Sequence, residues 1–148
     1  RVKEYHLSAN LKGHGSLTAW CSSFVNWCIL QTDYAGDATK SAKAYSWLDK
    51  DWVNGEKVDK PFYGALVIMK YSHVGFIYGK SPEGRLLILG GNQGGGRAGL
   101  GNCISIRANS LSQVRCIMKP KSYQVPEEDY RLLEENITRP DMTYKDTH

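Results

Sequence analysis

The hydrophobic pattern of the chain changes at Pro61, and this change constrains the fold more than any other feature of the sequence. Before Pro61, apolar residues recur at helical spacing. After it, short apolar or alternating runs are separated by Gly, Pro, Asn and Ser, which is typical of strands and turns. Helices followed by consecutive strands predict an α+β domain with an antiparallel β-sheet meander. The predicted strands are Ala65–Met69, His73–Tyr78, Arg85–Leu89, Cys103–Arg107 and Val114–Met118.

Two helices are predicted in the first half of the chain. The first runs from about Ala19 to Leu30, with Ser16 or Thr18 as its N-cap. A shorter helix is predicted over Ser41–Lys50, and the polar, glycine-broken stretch Lys3–Leu17 is interpreted as a loop. The first helix carries one apolar stripe at positions i, i+3, i+4, i+7 and i+8, formed by Cys21, Phe24, Val25, Cys28 and Ile29.

Turn signals and composition divide the rest of the chain. Asn54-Gly55 and Pro61 mark a loop, and Ser81-Pro82-Glu83-Gly84 predicts a hairpin between the second and third strands. After Pro120 the sequence becomes polar and charged, with one possible amphipathic helix over Glu127–Asn136. We therefore expect one domain over residues 1–119 and a C-terminal extension over residues 120–148, packed on that domain or trailing from it.

Composition and charge exclude several classes of protein. A chain of 148 residues with 41% hydrophobic and 23% charged residues is typical of one soluble domain. No apolar run approaches the roughly 20 residues of a membrane span, so membrane insertion is not expected. The net charge of +4 comes from scattered Lys and Arg residues, not from a basic block interleaved with aromatics, so we expect no nucleic-acid partner. The sequence shows no leader, which predicts secretion without a visible signal peptide.

The four cysteines are Cys21, Cys28, Cys103 and Cys116. No two of them form a CxxC pair, so neither a zinc ribbon nor a thioredoxin-type motif is expected, and the sequence predicts no metal and no cofactor. Cys103 and Cys116 lie in candidate strands that we interpret as neighbours. A disulfide between them is one possibility, and buried free thiols are the favoured alternative.

Cys21 is the best candidate for a nucleophile, because it stands in the first turn of a predicted helix. Free backbone N–H groups and the positive end of the helix dipole stabilise a thiolate at that position, and a helix N-terminus lowers the pKa of a thiol. Cys28 lies two turns later, where that field has faded, and is expected to be an inert core thiol. Spacing alone leaves open that Cys21 is also only a buried small side chain.

His73 is the candidate base, because a histidine at the start of a strand can face a helix N-terminus across a sheet. A histidine at a strand end can equally be a surface residue, and the weaker candidates His6 and His14 lie in predicted loops. Asn92, at the end of the strand that pairs with the His73 strand, is our choice for the third residue. Gln93 is the second choice, since adjacent strand residues point to opposite faces.

Four segments in this order resemble the motif series of the NlpC-type and CHAP (cysteine, histidine-dependent amidohydrolase/peptidase) branch of the papain-like superfamily. The resemblance covers roughly Lys3 to Lys119. It implies a papain-like fold in which the first helix carries the catalytic cysteine, and peptidoglycan stem peptides or cross-links as the substrate. The segments are Thr18–Cys28, Ser46–Leu48, His73–Phe76 and Leu89–Gln93.

The resemblance also implies roles for individual residues. Cys21, His73 and Asn92 match the catalytic positions. The oxyanion is expected to be bound by the backbone N–H of Cys21 and by a donor from the N-terminal segment, for which Tyr5 and His14 are weak candidates. The segment Gly94–Gly101 departs from the family pattern, and we expect the glycine-rich segment Gly90 to Gly101 to border the substrate cleft.

Proteins of this kind include amidase effectors that type VI secretion delivers into the periplasm of a rival bacterium, together with phage lysins and wall-remodelling enzymes. A single basic domain favours the effector. The expected partner is then an immunity protein made by the producer, which docks on the glycine-rich segment. The alternatives are a deamidase or protease toxin that acts on a host protein, and a binding module that keeps the fold without the reaction.

Overall fold

The computed structural model describes residues 1–12, 20–93 and 103–135. The N-terminal half carries two α-helices, α1 (Val2–Ser8) and α2 (Cys21–Leu30). Short 3₁₀ turns occupy Ala35–Asp37, Ala44–Trp47, Leu111–Gln113 and Glu127–Tyr130. The strands are β1 (Gly55–Val58), β2 (Leu66–Met69), β3 (His73–Lys80), β4 (Leu86–Gln93), β5 (Cys103–Asn109) and β6 (Val114–Pro120). Helices first and strands after them confirm the predicted α+β class.

The six strands form one sheet in the order β1-β6-β2-β3-β4-β5, and every neighbouring pair is antiparallel. Strands β2 to β5 form four strands of the predicted meander, whereas the fifth predicted strand, β6, is not placed next to β5. The hairpin between β3 and β4 is closed at Ser81, whose N–H donates to the carbonyl of Arg85 and whose hydroxyl accepts from the Arg85 N–H. Strand β6 returns across the sheet to lie between β1 and β2.

Alternate residues of the sheet serve two apolar clusters on its opposite faces. On one face, the buried side of α2 packs on residues such as Leu66 and Ile68 of β2. On the other face, Val67 and Met69 belong to a cluster built around Phe62. Against this second cluster pack Tyr123, Val125, Tyr130 and Leu132, so the described residues after β6 lie on the same domain.

A buried polar network holds α2 against the segment that follows it. The hydroxyl of Ser22 donates to the carbonyl of Ser41 at 2.7 Å and accepts from the indole N–H of Trp47 at 2.9 Å. The side chain of Asn26 donates to the same carbonyl, and its oxygen accepts from the N–H of Lys40 at 2.7 Å. These side chains are paired on both sides, and a paired polar network rigidifies the structure around it.

Two predictions in the N-terminal half were wrong. The stretch Lys3–Leu17 is not all loop, because Val2–Ser8 forms α1, so the helix that carries Cys21 is the second helix and not the first. Tyr5 and His6 of α1 are buried against α2, and this tertiary packing stabilises a helix of polar composition. The helix predicted over Ser41–Lys50 is only a 3₁₀ turn at Ala44–Trp47, since the Ser41 carbonyl accepts from side chains of α2.

Two expectations about the chain around and after Pro61 also need correction. The loop predicted around Asn54-Gly55 contains β1, which pairs with β6. Of the helix predicted over Glu127–Asn136, the described part is a 3₁₀ turn at Glu127–Tyr130, because the backbone of the residues that follow is hydrogen-bonded to Lys80 at the end of β3.

Cys103 and Cys116 do not lie in neighbouring strands. Cys103 is exposed on the edge strand β5, whereas Cys116 is buried on β6, and β2, β3 and β4 lie between these two strands. Both thiols are free, so no disulfide joins them, and the favoured alternative of a buried free thiol is confirmed for Cys116 but not for the exposed Cys103. The predicted caps Ser16 and Thr18 lie outside the described residues.

A stability prediction follows from the close approach of β3 and β4. A Cβ atom at Gly75 would stand 2.6 Å from Cγ2 of Ile88 and 2.9 Å from the Leu89 carbonyl oxygen, so Gly75→Ala forces these strands apart. We expect it to lower the free energy of unfolding by about 1–3 kcal/mol, as overpacking does. The matched control is Gly36→Ala, where no atom lies within 4 Å of the added Cβ. Urea unfolding midpoints measure both, and equal midpoints would contradict the prediction.

Candidate active site

Cys21 is the first residue of α2, and its side chain is 4% exposed. The backbone N–H groups of Val74, Ser22 and Cys21 itself lower the pKa of the thiol, in that order of effect. Two of these groups are the free N–H groups of a helix start. The third belongs to β3, one residue after His73. The thiol of α2 therefore lies near the start of the strand that carries the candidate base.

Burial decides the proton affinity of this thiol. It raises the pKa of Cys21 above the ordinary value, and the three backbone N–H groups only partly offset it. The sequence predicted a lowered pKa from the helix N-terminus, so burial outweighs the dipole in this conformation. Cys28 has no such hydrogen bonds, and burial raises its pKa to about 11. A protonated thiol needs a base before it can act as a nucleophile.

His73 is the first residue of β3 and is 0% exposed. The ring of Tyr71 stacks beside the imidazole, with a centroid distance of 6.0 Å and an interplanar angle of 11°. Nε2 of His73 lies 3.0 Å from Oε1 of Gln93. An amide oxygen only accepts hydrogen bonds, so this contact places a proton on Nε2 and leaves Nδ1 as the basic nitrogen of the neutral ring.

The Gln93 amide is itself held in one orientation. Its nitrogen donates to the backbone carbonyls of Ile88 and Ser105, and its side chain is completely buried. Because the NH₂ group is directed to these carbonyls, the oxygen is directed to His73. The hydrogen bond that we expected from Asn92 is thus made by Gln93, the second choice. The reason is an irregularity in β4: the register against β5 shifts between Gly90 and Gln93, which breaks the alternation on which the choice rested.

Gly90 and Gly91 occupy two positions at which a side chain would clash with neighbouring residues of the site. A Cβ atom on Gly90 would stand 2.7 Å from Oε1 of Gln93 and 3.1 Å from Nε2 of His73. A Cβ atom on Gly91 would stand 2.7 Å from atoms of both Trp20 and Phe24, at the start of α2. Both glycines belong to β4 and are not part of a loop. Residues 94–101 of the predicted cleft border lie outside the described residues.

The remaining candidates are placed as follows. Tyr5 is buried with its ring stacked on Trp20 at 5.7 Å and 22°, so it packs against the residue before Cys21. His14 lies outside the described residues. His6, which the sequence placed in a loop, is fully buried, with Nδ1 3.0 Å from the hydroxyl of Ser23 on α2. This burial was not predicted, because the stretch that contains α1 was interpreted as a loop.

The described ranges contain neither a candidate metal-binding group nor a candidate membrane-spanning helix. Across residues 1–12, 20–93 and 103–135, no three His, Cys, Asp or Glu residues are grouped so that they could hold a metal ion. Within the same ranges, no helix has the length and apolar character needed to cross a membrane.

Comparison with protein families gives one match, to the CHAP domain, over residues 13–92. The match covers more than half of the chain and includes Cys21, His73 and Asn92, while Gln93 lies one residue beyond its end. CHAP domains are papain-like and are generally hydrolases that act on peptidoglycan, which confirms the resemblance and the fold class drawn from the sequence. Comparisons with curated proteins and with solved structures gave no match.

The raised pKa of Cys21 generates a prediction about alkylation. At pH 7 we expect iodoacetamide to label Cys21 at least about tenfold more slowly in His73→Ala than in the wild type, because the thiol then has no base. As the pH rises towards the thiol's own raised pKa, the variant should recover, since hydroxide takes over the deprotonation. Mass spectrometry of tryptic peptides follows Cys21 and, as the internal control, Cys28. A Cys21 rate that does not respond to His73 would contradict the pairing.

Proposed function

Because this chain belongs to the CHAP domain family, we propose that it is a cysteine amidase or endopeptidase that cleaves amide bonds in the stem peptides or cross-links of bacterial peptidoglycan. The observation that supports the proposal is that α2 packs against β3. The backbone N–H of Val74, the residue after His73, lowers the pKa of the Cys21 thiol, and Nε2 of His73 lies 3.0 Å from Oε1 of Gln93. A nucleophile, a base and a group that orients the base are the components of this chemistry.

In the proposed acylation step, Nδ1 of His73 takes the proton of the Cys21 thiol. The thiolate sulfur attacks the carbonyl carbon of the scissile amide and forms a C–S bond, while the π electrons of the carbonyl move to its oxygen. The tetrahedral intermediate collapses, the C–N bond breaks, and the imidazolium gives its proton to the departing amine. The product is a thioester on Cys21 and a free amino group on the released fragment.

Deacylation reverses the roles of the same groups. His73 takes a proton from water, the hydroxide attacks the thioester carbon, and the C–S bond breaks. The sulfur leaves as a thiolate and recovers the proton from the imidazolium, so the enzyme returns to its starting state with a carboxylic acid as second product. No redox step is needed in this cycle, and every proton transfer passes through one imidazole nitrogen.

The negative charge on the carbonyl oxygen needs donors that are already in place. We propose the backbone N–H of Cys21 as one donor, since the first N–H groups of a helix have no partner within the helix. Tyr5 and His14 remain proposals for the second donor. The Tyr5 ring is fixed against Trp20 and Phe24, which supports a position near the start of α2.

Gln93 has the orienting role in this mechanism. Its oxygen stabilises the imidazolium, because the Nε2–H that donates to it becomes more acidic when the ring is charged.

The net charge of the protein also affects its approach to the substrate. The net charge of +4 favours the approach to an anionic bacterial wall.

We further propose that the protein is an antibacterial effector that acts in the periplasm of a target bacterium and is neutralised by an immunity protein of the producer. The family resemblance and the basic charge support this part of the proposal. A type VI secretion route, and docking of the immunity protein near the segment that follows Gln93, belong to the same proposal.

The first test is digestion of purified peptidoglycan. We expect the wild type to release fragments that carry a new amino terminus and a new carboxyl terminus on stem peptides, identified by mass. Cys21→Ala should reduce their release by at least about 10³-fold, as removal of a catalytic nucleophile does. The matched control Cys28→Ala should keep most of the activity, because this thiol lies two turns away on α2. Loss of activity in Cys28→Ala alone, or no cleavage by the wild type, would overturn the assignment.

The second test concerns the place of action. Production of the wild type in bacterial cytoplasm should be tolerated, whereas the same chain with an added periplasmic leader should lyse the cells, since its substrate lies outside the inner membrane. Cys21→Ala with the same leader is the control for toxicity of export itself. Colony counts and turbidity give the result. Toxicity confined to the cytoplasm would instead favour a deamidase or protease that acts on a protein.

A further inference from the structure

We infer that Asn92 is a positioning residue that acts through its backbone: its left-handed conformation forms the bulge that turns the amide of Gln93 towards His73. The inference deepens the proposed function and rests on it for the meaning of the His73 contact. It gives Asn92 a role other than that of hydrogen-bond acceptor for the imidazole.

The first observation is the register of β4 against β5. Gly90 pairs with Ser105 and Gln93 pairs with Cys103, so β4 advances by three residues where β5 advances by two. One residue of β4 is therefore extra, which is the definition of a β-bulge. Asn92 lies within this interval and has φ of 58°. A residue in the left-handed region is a recognised means of accommodating the extra residue.

The second observation is which side chain the bulge delivers to His73. Gly90 is on the His73 face, because a Cβ atom built on it points to within 3.1 Å of Nε2. In a regular strand, Asn92 would share that face and Gln93 would point away from it. The extra residue reverses this order, so that Oε1 of Gln93 reaches Nε2 at 3.0 Å and fills the space beside Gly90.

The third observation is the residue type at the bulge. Among residues with a side chain, Asn is one of the few that adopt the left-handed conformation at low cost, whereas Ala is disfavoured there. Asn92 is 1% exposed, so the surrounding structure holds this backbone in place. Each residue of Gly90–Gln93 then has its own role. The two glycines avoid steric clashes, Asn92 forms the bulge, and Gln93 binds the imidazole.

The experiment compares Asn92→Gly with Asn92→Ala. Both variants remove the amide, so they differ only in how readily they adopt a positive φ. We expect kcat on peptidoglycan to fall about tenfold in Asn92→Ala, because an ordinary residue disfavours the left-handed conformation. Asn92→Gly should stay within about threefold of the wild type. The matched control is Asn10, an exposed residue remote from His73 with φ of 60°, where Asn10→Ala has the same change in backbone preference.

A spectroscopic readout follows the imidazole itself. In protein with ¹⁵N-labelled histidine, His73, assigned by its loss in His73→Ala, should show the Nε2–H tautomer in the wild type and in Asn92→Gly. Asn92→Ala should show a mixture of tautomers, as Gln93→Ala should. This measurement needs no turnover, so it tests the inference even if peptidoglycan is not the substrate. Failure of the proposed function and failure of the inference are thereby distinguished.

A double variant tests whether Asn92 acts through Gln93. In the Gln93→Ala background, adding Asn92→Ala should cause no further fall in kcat, because the contact that Asn92 supports is already absent. Three outcomes would overturn the inference: Asn92→Gly as impaired as Asn92→Ala, an undiminished Asn92→Ala effect in the Gln93→Ala background, or an equal loss in Asn10→Ala. If Asn92→Ala does not fold, a fall of more than about tenfold in Asn92→Gly would still overturn it, since glycine adopts positive φ freely.

Discussion

The close contact between the first turn of α2 and the ends of β3 and β4 is the constraint on which the site depends. Gly91 leaves no space for a side chain against Trp20 and Phe24, and the N–H of Val74 on β3 lowers the pKa of the Cys21 thiol. A Cβ atom on Gly91 would stand 2.7 Å from atoms of both residues, so a side chain there would push the start of α2 away from β4. The packing of an apolar helix on a sheet thus also places the thiol of Cys21 beside the strand that begins at His73.

Burial gives this arrangement its electrostatic character. Away from water, an unpaired polar group is costly and a paired one is held strongly. The Gln93 amide uses both its nitrogen and its oxygen, and the imidazole that it binds is fully buried. The same burial raises the pKa of the Cys21 thiol and so favours its protonated form. The protonated thiol is uncharged, and the imidazole is hydrogen-bonded to a neutral amide.

Sequence reasoning succeeded where a single periodicity decides the outcome. The apolar stripe from Cys21 to Ile29 and the alternating runs after Pro61 predicted α2 and five of the six strands, because each pattern is long enough to reflect one buried face. It failed for α1 and β1, which are short and polar and are stabilised by partners distant in sequence. Alternation could not select Gln93 over Asn92, since a bulge is a property of two paired strands. The pKa of Cys21 likewise depends on burial by the whole fold.

The position of β6 has a consequence for how the protein is made. This strand, formed by Val114–Pro120, lies between β1 and β2, which precede it by dozens of residues in the chain. Cys116 and Met118 of β6 complete the apolar cluster beneath α2. On the ribosome, where domains fold as their residues emerge, the sheet remains divided until this late segment inserts. The helix that carries the thiol is thus synthesised early but gains its full support last, so a nascent chain lacks the assembled site until nearly all of the domain has been translated.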